Sequence, residues 1–397
     1  MKNLTLTEPS LVEGQALSSQ AAIDASIQSS MGRRFTSIFD AAGIVINGPA
    51  PQDVTIKHKH MFRRALREGS LGFGNSYIEG WWDCDSLDQT ITQVLRAGIY
   101  ERISKWTVAM FIQSVILNPQ TVSKSRKVGK THYDVGNNLY SKMLDQRMIY
   151  SCGYWKDANT LDEAQEAKLD LVARKLELEP GMRVLDIGCG WGGAARFMAE
   201  RYGVKVLGIS ISKEQIKYAK EAHQDMPGLE FRLEDYRNLS DRFDRIYSIG
   251  MFEHVGMKNY ATYFQQVRRL LEPDGLSLLH TIGSNESVKS GDAWISEHIF
   301  PNSMLPSITQ IASAIENVFV VEDWHNFGPD YDRTLMHWYQ RFNKVWPELE
   351  SSYSPEFYRK WRYYLLSCVG TFRSRRTQLW QVVLSPRGRM GGYIAPR

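Results

Sequence analysis

The chain has 397 residues and a formal net charge of +4, with 43% hydrophobic and 23% charged residues. These values fit a folded protein of two or three domains and exclude a disordered or fibrous chain. A charge this modest permits an anionic partner without requiring one, and no nucleic-acid partner is expected. No apolar run approaches the length of a membrane span, and the N-terminus lacks a secretory apolar region. Cys84, Cys152, Cys189 and Cys368 are too scattered for a zinc site, so no metal is expected, and they suit a reducing compartment. Eleven Trp and 19 Tyr fit an apolar substrate tunnel, a membrane-facing surface or an ordinary core equally well.

Residues 1–34 are rich in Ser, Ala and Gln and read as a loosely ordered leader or a short helix. Residues 35–118 read as a small, mainly helical domain. Strands are expected at 44–47 and 54–57, and helices at 60–68 and from 87 to about 117. Between the helices lies a glycine-rich segment, 69–85, with a Trp81-Trp82 pair suited to packing or substrate docking. The apolar end of the second helix, around 108–117, is too short to span a bilayer; it fits a buried helix or one lying on a membrane. Residues 119–130 read as a linker. Its basic run, Lys124, Arg126, Lys127 and Lys130, is either solvated or meets anionic headgroups.

The catalytic domain is expected over 131–397. Thr160-Leu-Asp-Glu163 is a capping box that opens a helix with Leu161, Ala164, Leu169, Val172 and Leu176 on one face. Strands then alternate with helices: strands at 183–187, 204–209, 229–233, 245–249, 276–281, 318–322 and 378–385, and helices at 191–201, 213–222, 259–271, 307–316, 331–346 and 355–376. The alternation predicts a parallel, doubly wound α/β sheet that binds its ligand at the carboxyl ends of the strands.

The glycine loop after the first of these strands organises the rest. Gly188, Gly190 and Gly193 satisfy G-x-G-x-x-G between a strand and a helix. That pattern serves either a dinucleotide or S-adenosylmethionine (SAM). Asp186 sits badly beside a pyrophosphate but suits a ligand that carries a sulfonium and an ammonium. The next strand ends in Ser210-Ile-Ser212, where a dinucleotide site wants an acid. SAM is therefore the expected ligand.

The other strand ends carry further polar groups. Ser212 with Gln215 reads as a capping box, although Ser210 and Gln215 also suit ribose hydroxyls. Asp235 suits the adenine amino group or a simple turn, and Tyr236 suits stacking. Glu253 and His254, side by side, are candidate acid–base groups or a helix cap. His280 emerges from an apolar strand, an expensive place for an idle imidazole unless it is a satisfied core histidine.

Five segments together carry a resemblance: Tyr150-Ser-Cys-Gly-Tyr-Trp155, the Asp186 loop, Met251-Phe-Glu-His-Val-Gly256, His280-Thr-Ile-Gly-Ser284 and Asp323-Trp-His-Asn-Phe-Gly328. With Glu68 to Gly74 and Gly80-Trp-Trp82, the chain resembles the bacterial cyclopropane-fatty-acyl-phospholipid synthases and their relatives, the mycolic acid cyclopropane synthases. The resemblance runs from about Gly43 to the C-terminal strand. It implies a Rossmann-like class I SAM methyltransferase fold. It also implies methylene transfer from SAM to the cis double bond of an acyl chain in a membrane phospholipid. The implied setting is cytoplasmic, at the inner face of the membrane, as a peripheral homodimer.

The same resemblance implies a bound bicarbonate as the base, cradled by Cys152, Glu253, His280, Ile282 and Tyr331, with Cys152 and Ile282 acting mainly through backbone groups. Cys368 matches a cysteine that the family has been proposed to use in catalysis, although a thiol nucleophile has no clear step in this chemistry. Tyr150, Ser151, Gly188, Gly190, Ser210, Gln215, Tyr236 and Arg237 would line the cofactor, and Tyr133 would close over it.

Overall fold

The computed structural model describes residues 18–98 and 136–397. In the first stretch the helices are α1 (Gln20–Gln28), α2 (Ser30–Asp40), α3 (Met61–Glu68), α4 (Ser70–Ile78) and α5 (Leu87–Arg96), with short strands β1 (Thr55–Ile56) and β2 (Trp82–Asp83). In the second, α6 (Asn137–Met143) and α7 (Leu161–Lys175) precede β3 (Arg183–Ile187), α8 (Gly193–Tyr202), β4 (Lys205–Ser210), α9 (Lys213–Ala222), β5 (Leu229–Leu233) and β6 (Phe243–Ile249). The chain continues through α10 (Tyr260–Leu270), β7 (Leu271–Ser284), α11 (Ala293–His298), α12 (Ile308–Ile315) and β8 (Val320–Asn326). It ends with α13 (Pro329–Leu349), α14 (Pro355–Arg373) and β9 (Thr377–Ser385). The apolar helix end near 108–117, the linker and Tyr133 lie outside the described residues.

The chain forms two compact units, and their boundary differs from the one expected. Residues 339–374, read from sequence as part of the catalytic domain, cluster with the N-terminal unit. In that unit, residues 20–40 are two helices whose Ile23, Phe35 and Phe39 are buried. The glycine-rich segment is also a helix, α4. Its Gly72 lets α3 approach closely, since a Cβ there would lie 2.5 Å from the Arg64 carbonyl oxygen. Trp82 is core, and its indole N–H donates to the Phe73 carbonyl at 2.9 Å. From α14, the buried Arg359 donates to the Tyr77 carbonyl (2.8 Å), and Arg362 donates to the Tyr77 hydroxyl and the Cys84 carbonyl. Few other side chains supply enough donors to satisfy several inward-facing carbonyls at once.

The second unit is built on a seven-stranded sheet in the order β5-β4-β3-β6-β7-β9-β8. Successive residues feed opposite faces. Leu185, Ile246, Leu279 and Val382 enter one core. Val184, Tyr247, Leu278 and Val383 enter the other. That two-sided burial explains why these strands read as continuous apolar runs rather than alternating ones. β3 to β7 are parallel neighbours, but β9 runs antiparallel to both β7 and β8, so the sheet is mixed rather than parallel throughout. Apolar periodicity marks a strand without marking its direction. Here two helices, rather than one, separate β8 from β9.

Strand order reverses at β3, which lies between β4 and β6. This is the switch point where an open α/β sheet leaves a crevice at its carboxyl edge. α7 leads into this sheet. Its capping box forms in full: the Glu163 N–H donates to Thr160 Oγ1, and the Glu163 carboxylate accepts from the Thr160 N–H, both at 3.2 Å. Replacing Thr160 by Ala is expected to lower unfolding stability by about 1 kcal/mol, seen as an earlier urea midpoint with an unchanged slope. No shift in the midpoint would show that the cap carries no stability.

Candidate active site

The glycine loop leaves β3 with positive φ at Gly188 (89°), Gly190 (54°) and Gly192 (87°). Two of its glycines are obligatory for different reasons. Gly190 is left-handed and faces open space within the cavity. Gly193 has an ordinary φ, but a Cβ there would lie 1.9 Å from the Arg147 carbonyl oxygen. Gly193 thus seats the start of α8 against the backbone entering the domain, rather than lining the cavity as a cofactor contact.

One cavity at this switch point is lined by Tyr150, Ser151, Asp186, Gly188, Gly190 and Ser210. Gln215, Asp235, Tyr236 and Arg237 complete its far wall. Of the cofactor residues expected from sequence that the structure describes, only Gly193 is not among these lining residues; Tyr133 lies outside the described residues. The far wall departs from expectation in detail. Ser212 accepts from the Gln215 N–H at 3.4 Å, but the Gln215 side chain does not return to close a capping box. It reaches Ser210 Oγ instead, at 3.1 Å. Asp235 holds Arg237 bidentately, at 2.9 and 2.6 Å, and accepts the Arg237 N–H, so it is a turn acid that also lines the cavity.

The near wall is charged and dry. Asp186 is 2% exposed, and burial pushes its carboxyl up to about 7. The Tyr247 hydroxyl donates to Asp186 Oδ2 at 3.0 Å and opposes that shift by favouring the ionised form. Lys168, wholly buried on α7, donates to Ser151 Oγ at 2.9 Å. His254 also lines the cavity, and burial holds it neutral, down at about 4. Glu253, its neighbour in sequence, turns the other way.

Glu253 is buried, and its Oε1 accepts the Ile282 N–H at 2.7 Å. Its Oε2 is buried without a partner; the nearby Thr281 hydroxyl, which donates to the Ile282 carbonyl, favours the ionised form. Burial pushes the carboxyl up to about 7. His280 stands two residues before Ile282, and its Nδ1 meets Gln381 Nε2 at 3.3 Å across the β7–β9 register. With the amide as donor, the imidazole proton sits on Nε2, which is buried without a partner. Burial keeps this ring neutral.

The Phe327 ring joins this pair to the next segment. It lies 5.8 Å from His280 and 5.3 Å from Tyr154. Near Tyr154, Thr334 ties the 150–155 strip to α13. Its Oγ1 accepts from the Gly153 N–H (3.1 Å) and the Trp155 indole (2.9 Å) and lies 3.7 Å from Cys152 Sγ. Tyr331 is buried one turn earlier on α13.

The structure thus brings Glu253, Ile282 and His280 to one strand end, and Cys152 and Tyr331 to one helix. Ile282 spends its N–H on Glu253, so it positions that carboxylate. Cys368 lies half-buried on α14, in the other unit. Asp323, in the Asp-Trp-His strip, is not a cavity residue; it pairs with the buried Lys175 (2.9 Å) and with Arg397 (2.6 Å). Lys168, Tyr247, Thr334 and Gln381 were not singled out from sequence. Only Lys168 carried a signal, as a charge inside the apolar stripe of α7.

The family model for mycolic acid cyclopropane synthetase matches residues 120–382. The chain belongs to this family. It is 53% identical to the cyclopropane-fatty-acyl-phospholipid synthase of Escherichia coli over 363 residues, which is 91% of this chain and 94% of that one. A solved cyclopropane synthase from Mycobacterium tuberculosis matches with TM-score 0.62 and 31% identity, over 65% of this chain and 97% of its own. A mycolic acid cyclopropane synthase solved in complex with SAH and CTAB matches with TM-score 0.61 and 32% identity, over 65% and 97%. The fold is accordingly the Rossmann-like class I SAM methyltransferase fold, and the chain is an enzyme of the transferase class.

Within this family frame the thiols separate by burial. Desolvation pushes Cys152 and Cys189 well above the usual thiol range and Cys84 up to about 12. A thiol reagent at about pH 8 is expected to leave these three unmodified in the native protein and to reach them after denaturation. Rapid native labelling of Cys152 would contradict the dry packing described for it.

Proposed function

We propose that the protein transfers a methylene group from SAM to the cis double bond of unsaturated acyl chains in membrane phospholipids, forming cyclopropane fatty acids. The observation that carries the reading is a buried, half-paired carboxylate, Glu253, held by the same strand that carries a buried, half-paired imidazole, His280. Methyl transfer to the lone pair of a free amine needs no buried acid–base groups of this kind. An alkene is a weak nucleophile, and its methylation leaves a carbocation that must lose a proton before the ring closes. Apolar and aromatic walls tolerate such a cation, and a poised base removes the proton.

The cavity residues fit SAM. The carboxylate of Asp186 suits the cationic half of the ligand, Ser210 and Gln215 suit the ribose hydroxyls, and Asp235 and Tyr236 suit the adenine. The orphaned pair fits bicarbonate. Glu253 Oε2 is an acceptor seeking a donor, His280 Nε2–H is a donor seeking an acceptor, and both are buried. Glu253, His280 and Tyr331 would hold the ion, with Cys152 at the wall and Ile282 behind Glu253. When bound there, bicarbonate supplies the base for the proton lost from the transferred methyl group. Glu253, as its carboxylate, accepts from the hydroxyl of the ion. The Nε2–H of His280 and the hydroxyl of Tyr331 would orient it, and His280, being neutral, would not transfer a proton to it. No step requires Cys368.

In this reading the N-terminal unit docks on lipid, and the enzyme works as a homodimer at the inner face of the membrane. One observation supports docking: Trp81 stacks on His58 at 4.1 Å beneath Arg64 at 4.9 Å, which places aromatic rings next to a cationic group.

Glu253→Gln removes the charge and keeps the shape. It is expected to leave SAM affinity within about two-fold while lowering turnover by roughly 100-fold or more, the range of general acid–base contributions. The working form is the carboxylate, so wild-type turnover at saturating SAM should be lost as pH falls below about 7. The Gln variant should lack that limb. Unchanged turnover in the variant would remove Glu253 from the chemistry.

A further inference from the structure

A lysine ammonium is an unusual occupant of a helix's buried stripe. On α7 the inward positions include Leu161, Ala164, Leu169 and Val172, and Lys168 stands among them with no exposure to solvent. A methionine or leucine would fill the same space without the cost of desolvating a charge. Packing therefore does not explain the residue. The side chain does not cap the helix; it reaches the cavity wall, where Nζ donates to Ser151 Oγ at 2.9 Å.

That single bond has a directional consequence. An ammonium only donates, so Ser151 Oγ accepts from it and keeps its own proton to give elsewhere. Ser151 lines the same cavity, and its Cβ lies 3.9 Å from the position a side chain would take at Gly250, at the end of β6. Asp145 and Asp186 favour the ammonium by their charge, but Asp145 makes no bond to it. Its two oxygens are committed to the backbone N–H groups of Ile149 (2.8 Å) and Arg147 (2.9 Å). Burial lowers Lys168 to about 8, so the ammonium form still prevails near neutral pH.

The same cavity therefore presents two opposite recognition elements: Asp186, with Tyr247 behind it, and Lys168, with Ser151 in front of it. SAM offers a matching pair. Its sulfonium and ammonium are cationic, and its only anionic group is the methionine carboxylate. We propose that Lys168 is a positioning residue which, through Ser151, reads the carboxylate of the methionine moiety, so that the cavity selects an α-amino acid end and not only an adenosine. The inference rests on the SAM reading above and goes beyond it by assigning the carboxylate contact and by predicting a selectivity.

Calorimetric titration of the full chain with three ligands tests it: S-adenosylhomocysteine, its decarboxylated analogue, and methylthioadenosine, which lacks the whole amino-acid end. Hydrogen bonds to charged groups contribute about 1.5–3 kcal/mol. The wild type should therefore bind S-adenosylhomocysteine roughly ten-fold or more tightly than the decarboxylated analogue. Lys168→Met should bring that ratio to within about two-fold of unity while leaving methylthioadenosine affinity within about two-fold of wild type. Ser151→Ala, which removes only the hydroxyl and is the milder change to the core, should collapse the ratio in the same way.

A wild-type protein that does not distinguish the first two ligands would overturn the proposal. So would variants that keep the wild-type ratio, or that weaken all three ligands equally, as a purely structural lysine would. Failure of the wild type to bind any of the three would instead overturn the SAM reading, and the proposal with it.

Discussion

One hydrogen bond anchors the polar groups at the end of β7: the Ile282 N–H to the carboxylate of Glu253, at 2.7 Å. A carboxylate taken out of water costs several kcal/mol unless its oxygens are satisfied. Here one oxygen is satisfied by the backbone of β7, and the other is buried without a partner. The strand end that supplies the donor also sets His280 two residues away, on the same face. Burial then does two things at once. It raises the acid into the neutral range and keeps the imidazole uncharged. A pair tuned this way suits a small polar guest that both donates and accepts, and would be a liability in a simple core.

The cofactor cavity follows a different logic. Its charges are paired in kind, a carboxylate supported by a tyrosine and an ammonium spent on a serine. Gly188 and Gly190 between them leave backbone exposed to the cavity. Glu253 and His280 share the carboxyl edge of the sheet with this cavity but do not line it. Glu253 and His254 are adjacent in sequence yet face different ways, and His254 alone of the two lines the cofactor cavity. Two neighbouring residues thus reach different surroundings because the short turn after β6 twists between them.

Much of this was legible in the sequence because it rests on local rules. Positive φ and close approach demand glycine, so Gly188, Gly190 and Gly193 announced the loop. The Thr160 box announced the start of α7, and buried apolar runs announced the strands. What stayed hidden depends on contacts between distant residues. Gln381 acquires its role only by register with His280. Thr334 acquires its role only where α13 meets the 150–155 strip, and the direction of β9 has no signature in its apolar run. The glycine-rich segment around Gly72 read as a packing or docking stretch rather than a helix because glycine opposes helices; there, close approach to α3 overrides propensity. Ser212 and Gln215 fitted a capping box in sequence, but only half of it forms, because the cavity-facing Ser210 competes for the glutamine side chain.

The most direct test of methylene transfer uses SAM carrying a fully deuterated methyl group, vesicles of a cis-unsaturated phospholipid and mass spectrometry of the released acyl chains. Ring closure by loss of one hydron from the transferred methyl predicts a product that has lost its double bond and retains two deuterons. Retention of all three deuterons in a branched chain, or no label in lipid at all, would contradict the proposed chemistry.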